Sequence, residues 1–153
     1  MKFLRLGLIL LICIFSVCFI FWNSFQNGET SNAFSGWIAE LLQPFLDAHN
    51  TDARFHEHIR KLAHFIEFCI LGCAVGGLMH WLRSLRGRYH IAMSLFILLA
   101  IAVIDEYIQS FTGRTSLVKD ILIDFGGGLT GLILVSIPVF LRKLWMSIRM
   151  QRR

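Results

Sequence analysis

Four stretches of this chain are long and apolar enough to cross a lipid bilayer, which leaves it few ways to fold. A spanning helix needs about 20 apolar residues, at about 1.5 Å of rise each, to cross about 30 Å of hydrocarbon. Residues 6–22 are apolar apart from Ser16, and the run extends back to Phe3 past Arg5. Residues 62–82 are mostly apolar but carry His64, Glu67 and His80. Residues 91–108 are apolar as far as Asp105-Glu106, and residues 121–141 are interrupted by Asp124, with Pro138 near the end. Lipid offers backbone amides no partner, so only helices or a closed barrel can span it. The runs lack the ten-residue alternation of a barrel. The expectation is all-α: a polytopic membrane protein with four transmembrane helices in one bundle, a single domain over 1–153. Composition agrees, with 56% hydrophobic and 16% charged residues, against roughly 45–50% and about 25% in soluble domains.

The first run follows Lys2 and Arg5, as a secretory leader would. It is long, however, and no small-x-small cleavage site follows in Phe21-Trp22-Asn23-Ser24-Phe25. An uncleaved anchor is expected. Cys13, Cys18, Cys69 and Cys73 all fall inside spans and form no CxxC pattern, so they read as small buried residues.

Basic residues flanking spans set orientation. With a cytoplasmic N-terminus, the inner segments hold Lys2, Arg5, Arg83, Arg86, Arg88, Arg142, Lys143, Arg149, Arg152 and Arg153, ten of the 15 cations. The outer ones hold Arg54, Arg60, Lys61, Arg114 and Lys119. Both termini are therefore expected in the cytoplasm, with 142–153 as a basic tail near anionic lipid. The net charge of +5 then reflects topology, and no nucleic-acid partner is implied. All 10 acids fall on the outer half. Insertion does not demand this, since acids contribute little to orientation.

The longest connection, 23–60, contains Phe34, Trp37, Ile38, Leu41, Leu42, Phe45 and Leu46. That spacing predicts an amphipathic helix in the first outer loop, capped by Ser31 or Asn32 and ended or kinked at Pro44. Its polar face lacks Lys and Arg, so it would lie on the membrane surface or over the bundle without anionic lipid as the attraction. A second short helix would start at Thr51-Asp52 and run into the second span. His49, Asp52, His56, Glu57 and His58 cluster in sequence, but residues two apart point to different helix faces. A solvated stretch is the default there rather than a metal site.

Ionisable groups inside a span cost about 2.5–3.5 kcal/mol each at its centre and are usually paired or functional. At about 100° per residue, Lys61, His64 and Glu67 fall within about 120° of one another. Asp105, Glu106 and Gln109 fall within about 100°, and Asp120, Asp124, Gly127 and Gly131 within about 60°. The pairs Gly72/Gly76 and Gly127/Gly131 are small-xxx-small patterns that predict close helix packing. Glu67, Asp105, Glu106, Asp120 and Asp124 outnumber Lys61, Arg114 and Lys119 by two. Retained protons, a charged His64, a cationic substrate group or a divalent cation would each relieve that surplus.

These residues also form a familiar order. The stretch Lys61-Leu62-Ala63-His64-Phe65-Ile66-Glu67-Phe68, followed by Leu71-Gly72, resembles a basic residue, H-F-x-E-Y and L-G. Asp105-Glu106-Tyr107-Ile108-Gln109 resembles D-E-x-x-Q. Gly113-Arg114, Asp120, Asp124, Gly127 and Gly131 resemble a G-R, D, N/D, G, G series, and Trp22-Asn23-Ser24-Phe25-Gln26 with Ser31 a weaker serine motif. Over about residues 15–135 the chain resembles the VanZ-like family of small bacterial membrane proteins. Phe68 stands where many members carry tyrosine, and Thr112 where proline often precedes Gly-Arg. The family takes its name from a protein linked to reduced susceptibility to the glycopeptide teicoplanin. The resemblance implies the bacterial plasma membrane and a role in the cell envelope.

Three readings follow. As an enzyme acting on an envelope lipid or lipid-linked wall precursor, the chain would use His64, Glu67, Asp105 and Glu106 for acid-base work. Lys61, Gln109 and Arg114 would bind substrate, with Arg114 on a phosphate, and Glu106, Asp120 and Asp124 would hold a divalent metal. As a non-catalytic protein it would bind or shield a precursor headgroup or a partner. As a structural one, its polar cluster would only hold the bundle together, alone or as an oligomer. No P-loop, dinucleotide fingerprint or nucleophile elbow is present.

Overall fold

A computed structural model of the chain describes residues 2–26, 53–112 and 117–151. The amphipathic segment 34–46, its caps at Ser31 or Asn32, Pro44, His49, Asp52 and Arg114 lie outside those residues. Four helices account for nearly all the rest: α1 (Lys2–Ser24), α2 (Ala53–Arg86), α3 (Ile91–Phe111) and α4 (Val118–Gln151). Each is long and apolar enough to cross a membrane. There is no strand among the described residues.

Helix lengths follow from local chemistry. α1 and α3, at 23 and 21 residues, extend about 32–34 Å, close to the thickness of the hydrocarbon. α2 and α4 have 34 residues each, about 51 Å, and overhang it. The apolar run of the second span begins near Leu62, yet its helix already starts at Ala53, because no glycine or proline interrupts 53–61. Gly87 ends α2 at φ +70°, with its N–H still bonded to the Arg83 carbonyl at 2.8 Å. Only a residue without Cβ adopts that conformation cheaply. α4 passes through Pro138 and continues ten residues past the expected end at 141, along the basic stretch. Those ten residues include good helix formers, and the Arg149 guanidinium lies 4.6 Å from the centre of the Trp145 ring one turn back.

Packing is inverted relative to a water-soluble bundle. Leu8, Leu11, Phe15, Ile66, Phe96, Tyr107, Leu122 and Phe140 are exposed, whereas Ser24, His64, Asp105, Glu106, Gln109 and Asp124 are buried. That arrangement suits lipid outside and polar contacts inside. The apolar core is small and central, formed by Ile20, Phe68, Leu71, Val75, Leu98, Ala102 and Leu132. Phe68 is wholly buried in it.

α2 and α4 share the largest interface, and glycine makes it. They run side by side in the same direction. A methyl group at Gly72 would meet the Gly128 main chain, one at Gly127 the Phe65 carbonyl, and one at Gly131 the backbone of Cys69 and Cys73. The partner of Gly72 is thus Gly128, which the i, i+4 pattern omits. Gly76 has ordinary room, with Leu132 and Val135 at 3.5 Å from an added Cβ. The Cys73 thiol donates to the Gly131 carbonyl at 3.4 Å, and His80 meets Ser136 at 3.1 Å further along.

Main chain cannot move aside as a side chain can. Gly131→Ala or Gly72→Ala is expected to destabilise the bundle by about 1–3 kcal/mol, read as a lower melting temperature of the purified protein in detergent. Gly126→Ala, which meets only the Phe65 ring at 4.0 Å, leaves it unchanged.

Candidate functional site

The carboxylates converge where the carboxy-terminal ends of α1 and α3 meet the amino-terminal halves of α2 and α4. Asp105 is at the centre, with no exposed surface. Ser24 of α1 donates a short hydrogen bond to its Oδ1. Gln109, one turn along α3, donates to its Oδ2 at 2.7 Å. His64 of α2 places Nδ1 3.7 Å from the same oxygen. Asp124 of α4 completes the group: one donor atom each from His64, Asp105 and Asp124 lies within 4.8 Å of the others.

Neighbouring acids have other partners. Glu67 Oε1 accepts from Asn23 Nδ2 at 3.0 Å. Glu106, next to Asp105 but about 100° round the helix, accepts from the Leu117 backbone N–H at 2.7 Å through Oε1. Its Oε2 is buried without a hydrogen bond. Thr112 closes the end of α3, its hydroxyl 2.9 Å from the Gln109 carbonyl and 3.4 Å from that of Ser24. Lys61 lies nearer the surface, 2.6 Å from Glu57 and 3.4 Å from Asp120. A small, partly open recess borders the cluster, lined among the described residues by Arg60, Lys61, His64, Gln109, Asp120, Ile123 and Asp124.

The structure therefore brings together His64, Asp105, Asp124, Gln109 and Lys61, with Glu67 and Glu106 beside them. It does not converge Glu106, Asp120 and Asp124 as one ligand set. Asp120 is taken by Lys61 and Glu106 by a backbone amide, and the set that does converge is His64, Asp105 and Asp124. Gln109 borders the recess but spends its amide on Asp105. Gly72, Gly127 and Gly131 lie in the α2–α4 contact that sets the two helices' spacing. Of the loop residues near the second span, Glu57 reaches Lys61. Three participants were not candidates on sequence: Asn23, Ser24 and Arg60. The signal for the first two was the serine motif closing the first span. Arg60 had no signal beyond its place next to Lys61.

This arrangement can do two kinds of chemistry. An imidazole beside a carboxylate that two other donors orient is the geometry of a positioned proton acceptor. Cations at a rim above buried acids suit a ligand whose anionic group stays outermost.

The family model for VanZ/LLP1 matches residues 8–141, and the chain belongs to that family. Comparison with curated proteins and with solved structures gives no match.

Ser24→Ala leaves a buried carboxylate oxygen short of a donor. It is expected to cost about 1–3 kcal/mol, measured by thermal unfolding in detergent, and Ser24→Thr recovers most of the loss. Lys61→Met breaks partly exposed ion pairs and shifts stability by less than about 1 kcal/mol.

Proposed function

We propose that this VanZ/LLP1 protein is a multi-pass protein of the bacterial plasma membrane, with both termini cytoplasmic, that engages the headgroup of an envelope lipid or lipid-linked wall precursor at the outer leaflet. The observation that carries this reading is the recess at the carboxylate end of the bundle. Arg60 and Lys61 line it together with His64, Asp120 and Asp124, while the surrounding helix surface is apolar. A lipid with a phosphoryl headgroup matches both: acyl chains against the helices, the anionic group against the rim cations. His64, beside Asp105, is the group best placed to accept a proton from a bound hydroxyl. Glu67 and Glu106 flank it as further acid-base candidates. Lys61, Gln109 and Arg114 are the proposed headgroup contacts.

A non-catalytic reading also has an observation behind it. Asp105 is tied to α1 through Ser24 and held on α3 by Gln109, as a structural polar network would be. The two readings separate on abundance. If the cluster acts on a ligand, His64→Ala and Asp124→Asn abolish function while the inserted protein stays at wild-type level. If it only holds helices together, function and abundance fall in parallel. Deletion followed by comparison of envelope lipids, wall precursors and teicoplanin susceptibility supplies the functional readout. Unchanged lipids, precursors and susceptibility would sink the envelope reading.

Orientation is tested independently. A fluorescent protein fused after Arg153 is expected to fluoresce, as it does when folded in the cytoplasm, and a periplasmic phosphatase fused there is expected to be inactive. The reverse pair of results places the carboxylate end on the cytoplasmic side.

A further inference from the structure

Asp124 is a buried acid of the cluster that the recess reaches. It is 2% exposed and borders the recess. It makes no hydrogen bond or ion pair with a described residue. Asp105, by contrast, takes Ser24 and Gln109, and Asp120 takes Lys61. A carboxylate in such a place is not retained cheaply. It sits beside a second carboxylate and an imidazole, all three offering atoms within 4.8 Å of one another. The buried Oε2 of Glu106, also without a hydrogen bond, adds to the same local excess of acceptors.

We infer that His64, Asp105 and Asp124 form a binding site for one divalent transition-metal ion of the zinc type, with its remaining coordination position open to the recess. The inference rests on reading this cluster as the functional site, and it holds whichever ligand the recess takes.

The donor set decides the class of ion. Calcium takes six to eight oxygens, and magnesium prefers carboxylates and water. An imidazole with two carboxylates suits zinc better, with Zn–N and Zn–O bonds of about 2.0–2.2 Å. Donors around a tetrahedral ion at that radius stand about 3.4 Å apart. His64 Nδ1 and Asp105 Oδ2 already stand 3.7 Å apart, and turning Asp124 toward them breaks no bond to a described residue. The three donors come from α2, α3 and α4, which are fixed by packing. Ser24 and Gln109 orient Asp105 as outer-shell partners do for a metal carboxylate.

The test uses the full-length protein in detergent, stripped with chelator and then equilibrated with Zn²⁺ alone. Mass spectrometry of the desalted protein is expected to find about one zinc per chain, and zinc is expected to raise the melting temperature. Asp124→Asn, which removes a ligand without removing a hydrogen bond to a described residue, should fold normally, bind zinc at least 10-fold more weakly and lose the thermal shift. His64→Ala should do the same. Changing His49, His56 and His58 together to Gln should keep the zinc, which separates this site from adventitious binding in the first connection. Equal retention by wild type and Asp124→Asn, loss in the triple variant, or retention of Mg²⁺ in preference to Zn²⁺ overturns the inference. If zinc binds as expected but Asp124→Asn leaves envelope lipids and susceptibility unchanged, the envelope reading fails and the metal site stands.

Discussion

Asp105 has no exposed surface in a protein whose outside is built for lipid, and three other helices are arranged around it. α1 supplies the Ser24 hydroxyl, α2 the His64 ring and α4 the Asp124 carboxyl, while α3 carries both Asp105 and the Gln109 amide. Lipid provides no driving force to bring apolar helix faces together. Polar contacts of this kind therefore do part of what a hydrophobic core does in water. The small apolar core, from Ile20 to Leu132, fills the middle of the bundle, and the carboxylate network fixes one end of it.

The other organising contact is the meeting of α2 and α4. Helices in lipid associate by close packing, and glycine lets main chains touch. Gly127 and Gly131 on α4, and Gly72 on α2, each face backbone rather than side chain. These contacts lie just below His64 and Asp124, so the separation of the two helices also sets the width of the recess above.

Most of the architecture is legible in the sequence because lipid imposes a length and a polarity on every span. The third helix begins at Ile91, where its apolar run begins. What sequence hides is pairing. Asp105 and Glu106 are adjacent and chemically alike, yet one sits in the three-helix cluster and the other accepts from the Leu117 amide. Helical angles place them about 100° apart without telling which side faces inward. Asn23 and Ser24 read as the polar edge of the first span, and only the fold shows them reaching Glu67 and Asp105. Gly128 was hidden for a similar reason, since an i, i+4 stripe describes one helix and the contact depends on two. The overhangs of α2 and α4 come from helix propensity outside the apolar runs, which hydropathy does not measure.

The glycine contacts also decide which walls of the recess can move. Where two main chains touch, no side-chain rotamer is left to absorb a displacement, so α2 and α4 behave as one rigid body. Among the described residues around the recess, six of the seven belong to that pair, and Gln109 comes from α3. The pocket is thus preorganised on most of its perimeter and adjustable on one side. A ligand too large for it must push α3 outward, and the first bonds to feel that push are those that Ser24 and Gln109 make to Asp105.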